Sequence, residues 1–168
     1  MLFDLKPLSR EAIPAALAKA ERYRLLNEPL QAESICRDIL AVDPSNEEAL
    51  LTLLLTLTEQ FEHGVNMHEP IELAGRIGGA YEHAYYLGVI HERRALALFR
   101  QNDFRSAQAV YSLILQAMRN YEEAQSLRPA GNDDSVLRWN TCVRFLRRTP
   151  QLTPEKPSAH PATVVFTE

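Results

Sequence analysis

Apolar residues recur along this chain at steps of three and four, the period of a helix that buries one stripe. Ile13, Ala16, Ala20 and Tyr23 set the first stripe, and Asn27-Glu28-Pro29 interrupts it. Proline suits the opening turn of a helix, where its missing N–H has no partner to lose. Leu30, Ile35, Ile39, Leu40 and Val42 form a second stripe, closed by Asp43-Pro44-Ser45-Asn46. The next segment, EEALLTLLLTLTEQF, carries threonines whose β-branching counts only weakly against its leucines, so a third helix is predicted. The stretch over 63–79 is less regular. His63-Gly64 reads as a helix end, Pro70 as the first turn of a short helix, and Gly78-Gly79 as a break. Long helices are predicted over about 80–101 and 104–127, turning at Asn102-Asp103. A last helix over about 134–148 follows the loop Arg128-Pro129-Ala130-Gly131-Asn132, with Asp133, Asp134 and Ser135 as candidate N-caps.

The stripes repeat. A shift of 34 places Ala16 on Leu50, Ala20 on Leu54 and Tyr23 on Leu57. A shift of 75 maps Ala20 to Ala95, Asn27 to Asn102, Ala32 to Ala107, Cys36 to Tyr111 and Ile39 to Ile114. The larger shift equals two 34-residue units plus seven residues, and the irregular stretch between His63 and Gly79 is where an insertion of seven would fall. A two-helix unit of that length resembles the tetratricopeptide repeat. The first unit matches with Ala20, Tyr23, Ala32, Cys36 and Pro44, and the third with Ala95, Leu98, Ala107 and Tyr111. Neither unit opens with the family's tryptophan and glycine, Arg119 stands where the third unit's proline would fall, and the second unit's back helix is short.

The resemblance implies an all-α fold, an α-α superhelix of about three such helix pairs closed by a C-terminal capping helix. Expected boundaries are a lead-in over 1–10, a helical domain over 11–148 with units at about 13–46, 47–87 and 88–127, a cap at 134–148, and a proline-rich disordered tail over 149–168. In the cap, Trp139, Val143 and Leu146 are expected to face inward while Arg138, Arg144 and Arg147 stay wet. The resemblance also implies a concave groove lined by the first helix of each pair. Its candidates are Leu17, Glu21 and Arg24 from the first unit, Leu51, Thr52, Leu55 and Thr58 from the second, and Val89, Glu92, Arg93, Leu96 and Phe99 from the third. An apolar groove rimmed by Arg24 and Arg93 suits a helix or an extended peptide of another protein. Leu17, Glu21 and Thr52 stand where one subfamily carries a clamp for a chaperone's terminal carboxylate, so that specialisation is not expected.

Charge adds one asymmetry. Residues 1–90 hold 7 Lys+Arg against 14 Asp+Glu, whereas 91–148 hold 10 Arg against 6 acids. Opposite halves could attract between copies, giving a homodimer, or be two solvated surfaces. The pI of about 5.8 argues against nucleic acid despite the arginines of the last helix. No apolar run of membrane-spanning length occurs, and MLFDLKPLSR lacks a basic stretch followed by an apolar core, so neither a membrane partner nor a secretory signal is expected. With only Cys36 and Cys142, a reduced cytoplasmic setting is the expectation.

Candidate chemistry is sparse. His63, His68, His83 and His91 lie beside Glu62, Glu69, Glu82 and Glu92, residue types that bind metals, but without a metal-ligand spacing. Ordinary polar histidines are the plainer reading, and neither a metal nor another cofactor is expected. Tyr81, Tyr85 and Tyr86 form an aromatic patch that suits either core packing or an interface. Gly75, Gly78 and Gly79 form no phosphate loop, and no nucleophile has a partner at useful spacing, so catalysis is not expected. An adaptor that binds a partner in the groove is the leading expectation. A small repeat chaperone holding an unfolded client is its alternative, and a helical metal-binding protein built on the histidines is a third.

Overall fold

The computed structural model describes residues 3–101 and 106–152. Seven α-helices run through them: α1 (Ile13–Leu25), α2 (Pro29–Val42), α3 (Glu47–Glu59), α4 (His68–Ala74), α5 (Ala80–Arg100), α6 (Ala107–Leu127) and α7 (Asp134–Arg148). The described residues contain no strand, and the all-α expectation is met. None of these helices is long and apolar enough to cross a membrane. The expected turn at Asn102-Asp103, the helix start at Phe104 and the tail from 153 onward lie outside the described residues.

Local chemistry explains the breaks. Asn27 adopts φ +59°, the left-handed conformation that asparagine tolerates better than most residues. Its N–H bonds Arg24 O and the Glu28 N–H bonds Tyr23 O, both at 2.9 Å, a Schellman ending after which Pro29 opens α2. Asn46 accepts the Ala49 N–H at 3.0 Å and caps α3, and Glu47 and Glu48 in the first turn complement the helix dipole. The start of α7 differs from expectation. Asp133 makes no capping bond with its side chain, and Asn132 Oδ1 takes the Asp134 N–H at 3.0 Å instead. The phenol of Tyr81 donates to that same Asn132 oxygen, which ties the loop to α5 and holds the cap in place.

Each helix packs on the next in the chain, and the alternate helices α1, α3 and α5 also touch in sequence. One core runs through α1–α5 around Ala20, Ala32, Cys36, Leu50, Leu53, Leu54, Leu57 and Phe61. A second, around Val89, Val110, Ile114, Tyr121, Cys142 and Leu152, joins α5 to α6 and α7. Leu55 and Tyr86 pack against both. Fully buried Ala20, Ala32 and Ala95 let helix backbones approach closely.

Three placements differ from those expected of the sequence. Position 87/88, an expected unit boundary, lies in the middle of α5. Thr149 and Leu152 are buried, so the chain stays packed through residue 152, four residues past the expected end of the domain. Arg138 turns inward onto a buried carboxylate rather than into solvent. The reason is that Glu92 stands on α5 where α7 crosses, and a buried carboxylate requires a counter-charge.

Candidate functional site

Two partly buried charge networks sit side by side on α5, at Glu92 and Arg93. Arg93 reaches α3, where its Nη1 donates to Thr58 Oγ1 at 2.6 Å and Leu55 O at 3.1 Å and lies 3.5 Å from Glu59 Oε1. Arg24 of α1 closes on the same Glu59 oxygen at 2.6 Å. Glu59 therefore bridges α1 and α5 through two guanidinium groups. Burial pulls the Arg93 pKa below its ordinary value, against the pull of Glu59. The three hydrogen-bond acceptors around its Nη1 keep the guanidinium in place.

Glu92 is 2% exposed. It accepts the Tyr121 phenol on Oε2 at 2.5 Å and Arg138 Nη1 on Oε1 at 3.2 Å, so α5, α6 and α7 meet on one carboxylate. Burial opposes the charge on Arg138, and the Glu92 carboxylate overcomes it and raises the guanidinium pKa. Burial, reinforced by Glu92, drives the Tyr121 phenol far above its usual range, so it stays a donor at every working pH. One turn before Glu92 stands Gly88, where an added Cβ would run into the Tyr121 ring. The missing side chain is what admits the ring.

Between α3, α5 and α7, beside these networks, opens a cleft of about 480 Å³. Thr58, Glu59 and Phe61 form one wall; Glu92, Arg93, Leu96 and Arg100 form the other; Arg138 closes one end; Asn27 and His63 stand at the mouth. Arg100 pairs with Glu62 on the rim. The lining is more polar than expected, and its charges are largely paired with one another.

Of the groove residues expected from the sequence, Thr58, Glu92, Arg93 and Leu96 come together in this cleft. Arg24 stands behind it through Glu59. Leu17, Thr52 and Val89 are buried, as are Thr58 and Glu92 where they border the cleft. Leu17 packs with Ile39 and Ala49, and Val89 joins the core around Tyr121. Leu51 and Leu55 are half-buried against the first core, and Phe99 meets Phe145 of α7 edge-on at 5.2 Å. Glu21 is exposed at the outer side of α1. The tyrosines pack on each other: Tyr81 stacks on Tyr85 at 5.9 Å, and Tyr85 meets Tyr86 edge-on at 5.2 Å. Sequence reasoning missed Glu59, Tyr121 and Arg138. The one available signal was spacing: Gly88 and Glu92 share a face of α5 one turn apart.

The histidines disperse. His91 Nδ1 lies between Leu87 O and the Asn120 amide, and burial lowers its pKa. His83 Nδ1 sits 3.1 Å from Ala74 O, and His68 faces Glu72 on the surface. Among the described residues no three His, Cys, Asp or Glu side chains converge as metal ligands would. Both cysteines are buried; burial pushes the Cys36 thiol up to about 11 and the Cys142 thiol to about 12. Comparison with known protein families, with curated proteins and with solved structures finds no match to this chain.

Proposed function

We propose that this chain is a tetratricopeptide-like interaction module, a non-catalytic adaptor that holds a segment of another protein in the cleft between α3, α5 and α7. The single observation that carries this reading is the preformed cleft itself. Its walls come from alternate helices that touch in sequence, and the starts of α1 and α3 are 34 residues apart. That spacing and that stacking are what a repeat array of helix pairs requires. Arg93 and Arg138 are held by neighbouring oxygens before any partner arrives, so binding need not order them, and preorganised groups add affinity by lowering that cost. Leu96 supplies apolar contact within a polar rim, so a partner segment with one apolar side chain and flanking polar groups fits best.

Rim residues test the reading without disturbing the core. Arg100 and His63 are exposed at the mouth. Affinity capture from native lysate is compared between the wild-type chain and Arg100→Glu/His63→Glu, with both giving the same helical circular dichroism. The expected outcome is a partner retained by the wild type and lost from the variant. Equal capture by both overturns the cleft as the binding site.

A further inference from the structure

Two features beside the cleft present exposed side chains that do not line it. The first is the turn between α1 and α2, where Leu25, Leu26 and Leu30 are 90%, 60% and 69% exposed around Glu28. Leucines that exposed are normally scattered singly, and three around one turn form a patch. The Schellman ending at Asn27 and the proline at 29 fix the turn, so the leucines stand on a rigid knob. Glu28 has no ion-pair partner among the described residues.

The second feature is a cleft of about 250 Å³ on the other side of α7. Leu96, Ile114, Cys142 and Phe145 line it together with the buried Glu92 already paired to Arg138, and Arg144 and Arg148 stand on its edge. Both arginines are exposed, and neither has an ion-pair partner among the described residues. An apolar pocket edged by two such cations calls for aliphatic groups beside a carboxylate. The knob offers that combination.

We propose that copies of this chain associate by seating the Leu25–Leu30 turn of one copy in the α5–α6–α7 cleft of another, with Glu28 between Arg144 and Arg148. Charge over the wider surfaces agrees. Residues 28–48 carry six acids against one arginine, whereas 138–148 carry four arginines and no acid. Knob and cleft are different patches at opposite ends of the chain. The contact therefore closes as a reciprocal pair where both can be made at once, and otherwise extends into a ring or a chain of copies. Asn27 of the turn and Leu96 and Glu92 of the pocket also line the α3–α5–α7 cleft, so the test substitutes only Glu28, Arg144 and Arg148, which do not line it.

Sedimentation velocity on the full chain, at several concentrations and at about 50 mM and about 500 mM salt, tests this. The expected result is mass above that of one chain, 19.1 kDa, at low salt, shifting toward one chain at high salt. Glu28→Arg alone and Arg144→Glu/Arg148→Glu alone should each remain single chains. An equimolar mixture of the two variants should associate again, because each reversed charge meets its complement. A wild-type chain that stays single at every concentration overturns the proposal, as does association that survives in both variants or fails to return in the mixture. Association seen only after truncation at Leu152 also overturns it, because the occupant of the cleft would then be residues 153–168 of the same chain.

Discussion

At the scale of single residues, Gly88 and Tyr121 form one unit with Glu92. Gly88→Ala would drive a methyl group into the Tyr121 ring, an overpacking that costs about 1–3 kcal/mol and is read as a lower Tm. Tyr121→Phe keeps the ring and removes the phenol from a nearly buried carboxylate, with an expected loss of roughly 1–3 kcal/mol in denaturant unfolding. His91 sets a pH effect. Its folded pKa is depressed by burial, so the fold binds the neutral ring better than the charged one. The stability it contributes is complete above the unfolded value and is lost as pH falls through the folded one. The stability slope from about pH 7 to about pH 5 should therefore flatten in His91→Gln. Both thiols are buried and hard to ionise, so native protein at neutral pH should resist iodoacetamide, while denatured protein takes two labels per chain.

Among elements, the caps and cross-helix carboxylates set how the helices meet. Asn46→Ala removes the side-chain cap bond at the start of α3 and should lower stability by about 1 kcal/mol. Glu59 matters differently, because its two arginines come from α1 and α5. Losing it leaves Arg93 without its carboxylate and Arg24 without its partner. Both pairs are partly solvated, so the expected cost in Glu59→Gln is roughly 1 kcal/mol rather than the several of a dry pair. The helices themselves were legible in the sequence because each buries one stripe at a period of 3.6. The N-cap of α7 was not. Three residues in a row, Asp133, Asp134 and Ser135, could have capped it, and the choice of Asn132 was made by Tyr81, 51 residues away.

For the whole molecule, the second core has no closure without α7 and the turn that follows it. Cys142 and Leu152 are buried in it, and Arg138 neutralises Glu92. A chain ending at Leu127 should leave Glu92 and the Val110–Ile114 face of α6 uncovered. Thermal unfolding followed by circular dichroism should then be broader and lower in Tm, because the second core loses Cys142, Leu152 and the arginine that neutralises Glu92. The candidate cleft belongs to this scale too, since α3 and α5 contribute its walls and Arg138 of α7 closes one end.

The sequence by itself determined the helices, their breaks at Asn27-Pro29 and Asp43-Asn46, and the alternation of small and bulky residues that lets them pair. These follow from contacts within a turn or two, which periodicity and capping chemistry record. Tertiary structure alone decided which half of each apolar stripe is spent on packing. Leu17, Thr52 and Val89 went into the cores because neighbouring helices cover them, and a helix has too few faces to serve both packing and a groove at every position. It alone brought Glu59 to Arg24 and Arg93, and Glu92 to Tyr121 and Arg138. Those pairings join residues separated by 29 to 46 positions, and no local pattern encodes which buried carboxylate a distant arginine will meet.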